Sequence, residues 1–296
     1  MRSGPRHRRH GRGLVEVIVM VAVLGFAALL VMMALPRGRE TSRMASCQKN
    51  LMQVGFGLQL YHQVSRHYPT VPALDDSKGA GPIKVMLDSF VIPDLLVIRD
   101  PSQLPKPSHS PPSGIRLPGL ACPSDPYAMA SLARPVISYR ANTGDDPVGL
   151  GGPFQPGRTM TSAEVEAADG LSYTAAFTER LVGDGQVGQK STENYASCQA
   201  PVPKGGCPNS PSDRWLGDAG SDWGEASWRS TLYNHVLTPN AGPSCIAEGG
   251  RSALMGASSS HINRVNTLML DGSLRVVTPS IDPRIWSGLG TVGQAP

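Results

Sequence analysis

Ser260, His261 and Asp271 lie close together and supply the side-chain types of a hydrolytic triad. A nucleophilic serine needs its base on its own side of the chain, yet adjacent residues of an extended segment point to opposite faces. No G-x-S-x-G elbow surrounds Ser260, so the strained turn that would expose such a nucleophile is missing. The expected role of His261 is therefore structural: it hydrogen-bonds loop backbone and fixes the entry to a hairpin turning at Asp271-Gly272. No catalytic residue is assigned. Asp145-Asp146 and Asp184-Gly185 are acidic turns, but neither has the ligand count of a calcium loop. The five cysteines, Cys47, Cys122, Cys198, Cys207 and Cys245, include no C-x-x-C pair, the usual spacing of a zinc site. Neither a metal nor a cofactor is expected. The short Pro- and Gly-containing loop from Cys198 to Cys207 marks these two as the expected disulfide, and the odd count leaves at least one thiol over. Trp215, Trp223 and Trp228 also cluster. They could form an exposed ledge for a sugar or protein, but near strands the expectation is core or loop-anchor positions.

Glu16 is the residue most out of place. From Leu14 to Leu35 the chain is otherwise apolar or small, about the ~20 residues that a helix needs to cross ~30 Å of hydrocarbon. A carboxylate at the bilayer centre costs ~2.5–3.5 kcal/mol, and a position near one end lowers that cost. The run is too long for an ordinary secretory signal, no A-x-A site follows, and Pro36-Arg37-Gly38-Arg39 closes it, so a cleaved signal peptide fits poorly. Arg2, Arg6, Arg8, Arg9 and Arg12 precede it. By the positive-inside rule this leader stays cytoplasmic and everything after Pro36 is exported. The net charge of +4 comes partly from the leader, so it does not argue for nucleic acid, and no such partner is expected.

The elements that position these residues can be read from spacing. Met44, Cys47, Leu51, Val54, Leu58 and Tyr61 recur at three and four residues, one stripe of a helix. Arg43, Gln48, Lys49, Gln53 and Gln59 make its opposite, wet face. Helix is expected from Leu14 to about Val64 with a kink at Pro36. The stripe is either a coiled-coil seam or the spine for a following sheet, and Gly55 and Gly57 within it favour the spine. Tyr68-Pro69 ends the helix. Ile83–Ile98 suggests a short helix and a strand, and the prolines from Pro101 to Pro118 an extended surface loop. Short strands are expected at Val136–Arg140, Leu171–Phe177 and Thr231–Leu237. Val265–Leu270 and Leu274–Val277 flank Asp271-Gly272-Ser273 as a hairpin. Thr161 or Ser162 caps a short helix through Ala168, and Asp282-Pro283 starts another through Leu289. With 33 Gly, 27 Pro and 17% charged residues, the loops are long. The pattern is α+β: a long helix followed by a mostly antiparallel sheet. The expected layout is a basic leader over 1–11, a transmembrane helix over 12–35, its amphipathic continuation over 36–66 and an exported head over 67–296.

Gly11, four intervening residues, Glu16 and an apolar helix behind a basic leader resemble the class III signal of type IV pilins and type II secretion pseudopilins. Further blocks resemble the pilin-like proteins of planctomycetes catalogued as domain-of-unknown-function family 1559. These are Arg39-Glu40, Cys47-Gln48-Lys49-Asn50-Leu51, Leu60-Tyr61-His62, Cys122-Pro123-Ser124-Asp125-Pro126, Ser138-Tyr139-Arg140-Ala141-Asn142, Asp169-Gly170-Leu171-Ser172-Tyr173-Thr174 with Glu179, Ser260-His261 with Val265-Asn266, and Asp271-Gly272-Ser273. The resemblance implies a type IV pilin-like fold and a membrane-anchored assembly subunit, not an enzyme, of a type II secretion or type IV pilus-like system. It further implies a processing site at Gly11 and Arg12, cut by a prepilin peptidase and methylated on the new amine. Glu16 would pair with a neighbouring subunit's amino terminus. The implied partners are the membrane, that peptidase and other pilin-like or secretion-system inner-membrane proteins. The implied location is the inner membrane, single-pass, with a cytoplasmic amino terminus. The chain departs from the pattern at Arg12, where Phe is usual, at Asn263 and Arg264, where glycines are usual, and over Ser191–Asp213, which reads as an insertion. The alternative is an uncleaved single-span protein whose exported head binds an envelope polysaccharide or protein.

Overall fold

The chain's computed structural model describes residues 12–74, 79–89, 114–131, 134–199, 201–208 and 214–293. The basic leader with Gly11, the second half of Ile83–Ile98 and most of the proline-rich loop lie outside the described residues. Helix α1 runs over Arg12–Ser65 as 54 residues. It stops where Arg66 takes a left-handed φ of 63° while its N–H donates to His62 O at 2.8 Å, a common way of closing a last turn. The chain divides into two compact units, Met1–Arg43 and Met44–Pro296.

In the first unit α1 presents apolar side chains outward: Val17, Ile18, Val21, Leu24, Phe26 and Leu29 are each more than half exposed. Among the described residues no helix is long and apolar enough to cross a membrane. The expected span, Leu14–Leu35, includes Leu14, Val31 and Met33 to Leu35, whose side chains lie outside the described residues.

In the second unit the stripe read from the sequence is the core face of α1, since Cys47, Leu51, Val54, Leu58 and Tyr61 are buried. The spine reading therefore holds within this unit. A Cβ built on Gly55 would meet Leu268 Cδ1 at 2.9 Å, so this glycine lets the helix lie close on a strand. The expected wet face needs correction: Gln48 Nε2 donates to Asn266 Oδ1 at 3.0 Å and Gln59 Nε2 to Leu270 O at 2.7 Å. Both glutamines flank the stripe, one reaching a strand at Asn266 and the other the residue just past that strand's end.

That strand is β8 (Val265–Met269), one of five in the first sheet with β1 (Tyr139–Asn142), β2 (Ala175–Glu179), β5 (Leu232–Tyr233) and β9 (Leu274–Val277), in the order β5-β1-β2-β8-β9. All its pairs are antiparallel except β1 with β5. The β8–β9 hairpin turns where expected: Gly272 has φ 86° and Asp271 Oδ1 accepts from Ser273 N at 2.8 Å. A second sheet, β4-β3-β6-β7, is built from β3 (Tyr195–Cys198), β4 (Arg214–Leu216), β6 (Ser244–Ala247) and β7 (Ala253–Leu254). It was not anticipated, because each strand is short and set among Gly and Pro, and its β3–β6 pair is parallel. The fold is thus mixed α and β with antiparallel-rich sheets.

Of the short helices, α2 (Pro82–Ser89) takes the first half of the Ile83–Ile98 segment. Helix α3 (Pro126–Ala130) is capped by Asp125. Thr161 and Glu164 close a reciprocal capping box on α4 (Ser162–Ala167), and Asp282 caps α5 (Pro283–Gly290). Trp286 of α5 stacks on His235 with ring centroids 3.9 Å apart. Burial lowers the pKa of His235 from the usual 6.5 to about 3.

Candidate functional site

The residues quoted above from separate stretches of sequence converge on one buried cluster. Residue Thr178 of β2 pairs with Thr267 of β8, which places Glu179 beside Asn266. Glu179 Oε2 accepts from the Asn266 backbone N–H at 2.9 Å and Oε1 from Asn266 Nδ2 at 2.8 Å. The loop entering β8 brings His261 Nε2 to 3.4 Å from Glu179 Oε1, with side chains only 1% and 2% exposed. The pair is an ion pair whenever the imidazole carries a proton. Asn266 Oδ1 takes the Gln48 amide already described, so helix, strand and loop meet around one carboxylate.

The sulfur atoms of Cys47 and Cys122 complete the cluster. Cys122 Sγ lies 3.7 Å from His261 Nε2, and Cys47 and Cys122 form a disulfide spanning 75 residues of sequence with Cα atoms 5.0 Å apart. A second disulfide joins Cys207 to Cys245. This corrects the expected Cys198–Cys207 bridge. Proximity in sequence misled, since Cys245 on β6 faces Cys207 across the second sheet's packing, while Cys198 is buried outside both disulfides.

The segment after Cys122 is held by its own polar groups. Asp125 accepts from Tyr127 N and Ala128 N at 3.1 Å each, from Ser138 Oγ at 3.2 Å and from Val182 N at 2.8 Å. Burial raises its pKa against the pull of these four bonds. Ser138 also accepts from Cys122 N at 3.2 Å. Nearby, Asn142 donates to Ala175 O and Gly290 O, both at 2.8 Å, and accepts from Gly144 N at 2.8 Å. Arg140 is fully buried with one bond, to Trp228 O at 3.0 Å. Burial, then the Arg180 guanidinium, push its pKa well below the usual arginine range.

His261 does more than the hairpin-entry role expected of it, because its ring faces the carboxylate and the sulfur rather than loop backbone alone. Ser260 is exposed while His261 is buried, so the two do not share a face. Asp271 bonds within its own turn. Asn263 has φ 53°, the left-handed backbone that its side chain tolerates. Trp223 and Trp228 are buried, and Trp215 is partly covered beneath Lys190 Nζ at 5.7 Å; no three-tryptophan ledge forms. Glu16 is exposed on α1, the side chain of Arg12 lies outside the described residues, and so does Gly11. An open cleft of about 370 Å³ is lined by Ala80, Lys84, Asp222, Glu225 and Arg229 among others. Of its charged residues, Arg229 pairs with Glu225 at 2.6 Å, and Lys84 pairs with Asp88 of α2 at 2.8 Å. Sequence reasoning missed the cluster as a unit: Cys47, Cys122, Glu179 and His261 come from four separate segments, and no local spacing announces them.

The family model described as "Protein of unknown function (DUF1559)" matches residues 36–284. No curated protein and no solved structure matches the chain. The family match takes in every segment that contributes to the buried cluster, and by its extent this chain belongs to the DUF1559 family.

Proposed function

We propose that this chain is a membrane-anchored, pseudopilin-like assembly subunit with a type IV pilin-like fold, working in a type II secretion or type IV pilus-like system. The observation that carries the reading is the outward row from Val17 to Leu29 on α1. Apolar surface of that extent calls for a bilayer or a partner helix. The amphipathic stripe from Cys47 to Tyr61 in the second unit adds support, and so do two disulfides, which suit an oxidising compartment. In this reading the amino terminus is cytoplasmic, the head is exported from the inner membrane, and a prepilin peptidase cuts after Gly11. Glu16 sits near the end of the apolar helix, where its charge meets the amine of a neighbouring subunit. Such pairing acts through axial register more than through net stability. Glu16→Ala is expected to leave membrane insertion intact and to abolish co-isolation with pilin-like or secretion-system inner-membrane partners; unchanged co-isolation would sink the reading.

Arg12 in place of the usual Phe favours a second reading, an uncleaved single-span anchor whose head binds an envelope polysaccharide or protein. The tryptophans lend it no support, since two of the three are core residues.

A further inference from the structure

We propose that, before the Cys47–Cys122 disulfide forms, Cys47, Cys122, His261 and Glu179 hold one borderline-soft divalent cation of the zinc type, which disulfide formation expels. Their donor atoms lie within 4.8 Å of one another, and all four residues are buried. Two of the separations already match the donor-to-donor edges of a tetrahedral site. His261 Nε2 is 3.7 Å from Cys122 Sγ and 3.4 Å from Glu179 Oε1, while a tetrahedron with bonds of ~2.0–2.3 Å has edges of ~3.3–3.8 Å. The two sulfurs are closer than such an edge, because they are bonded to each other. As thiolates on one ion they would stand about 3.7 Å apart. Side-chain rotation can supply that separation between residues whose Cα atoms are 5.0 Å apart.

The donor set selects the ion. Two thiolates, an imidazole and a carboxylate suit Zn(II), whereas calcium and magnesium require oxygen ligands. The surroundings resemble the outer shell of a metal site. Asn266 holds both oxygens of Glu179, and Gln48 in turn bonds Asn266, which orients the carboxylate as outer-shell partners do. Glu179 Oε1 keeps lone-pair capacity beyond the bond it accepts from Asn266. The ion would join α1 to the segment around Cys122, to β2 and to the loop before β8, at the place where the disulfide later makes the covalent link.

The exchange balances. Binding displaces two thiol protons. Oxidation transfers two electrons from the bis-thiolate to an oxidant disulfide, the Cys47–Cys122 bond forms, the oxidant leaves as two thiolates, and the dication is released.

The test titrates the full chain in detergent, reduced by a phosphine and kept free of oxygen, with cobalt(II) alone. Expected are the visible bands of a tetrahedral cobalt ion with sulfur-to-cobalt charge transfer, at one ion per chain. They should be absent from the oxidised chain and from Cys47→Ser/Cys122→Ser, and retained in Cys207→Ser/Cys245→Ser. Asn266→Ala should weaken binding ~10–100-fold. A reduced chain that gives no such bands, whether or not it keeps its helical circular dichroism, overturns the proposal. Bands undiminished by His261→Ala overturn it equally.

Discussion

At the scale of single residues, Glu179 is the hub. One carboxylate takes two bonds from Asn266 and faces His261, all out of water. An amide in its place would point a donor at donors, and a buried polar group left unsatisfied costs roughly 1–3 kcal/mol. Glu179→Gln is therefore expected to lower unfolding stability in urea by about 2 kcal/mol or more; a change under ~0.5 kcal/mol, the size of a surface substitution, would contradict the hub role. His235 gives the pH behaviour. Its imidazole, bonded to Tyr233 Oη and Trp286 O at 2.7 Å each, ionises at about 3 when folded against the usual 6.5. The unfolded chain thus takes up the proton first as pH falls. Stability from this residue is intact above about 6.5 and drops by up to about 1.4 kcal/mol per pH unit between there and about 3, where the folded imidazole also ionises. Denaturation at pH 7 and pH 5 should show this loss in the parent chain and a flatter profile in His235→Gln. An unaltered profile in the variant would place the acid sensitivity elsewhere.

At the scale of elements, the head is organised by where α1 meets β8. Gly55 marks the closest approach, and Gly55→Val would drive branched atoms into Leu268, an overpacking cost of about 1–3 kcal/mol. Gly25, with nothing within 4 Å of a built Cβ, is the control: Gly25→Val should leave the melting of the head unchanged. The disulfides make a separate claim. Peptide mapping should recover Cys47 linked to Cys122 and Cys207 linked to Cys245, and loss of the first pair should cost ~2–4 kcal/mol; a Cys198–Cys207 peptide would contradict the pairing. Elements with a strong local signal were legible in the sequence: the helical stripe, the Asp271-Gly272 turn, and the caps at Thr161 and Asp282. The second sheet was not, because β4 and β7 have only three and two residues and are defined by their neighbours rather than by their own periodicity. The cysteine pairing failed for the same reason. Which thiol faces Cys207 depends on long-range packing, and loop length carries none of that information.

At the scale of the whole molecule, the chain has two units with opposite relations to apolar surface. The head buries its stripe from Cys47 to Tyr61, while the first unit leaves Val17 to Leu29 outward. Under the function proposed above, a bilayer or neighbouring helices cover the first unit. The pairing proposed for Glu16 requires a new amine four residues before it, so the processing of the amino terminus is decisive. The direct measurement is the intact mass and amino-terminal peptide of the chain isolated from membranes of cells that carry a prepilin peptidase. A mature chain beginning at Arg12 is expected, with Gly11 and everything before it removed. A membrane-bound chain that retains Met1 would contradict it and leave the uncleaved anchor as the reading to pursue.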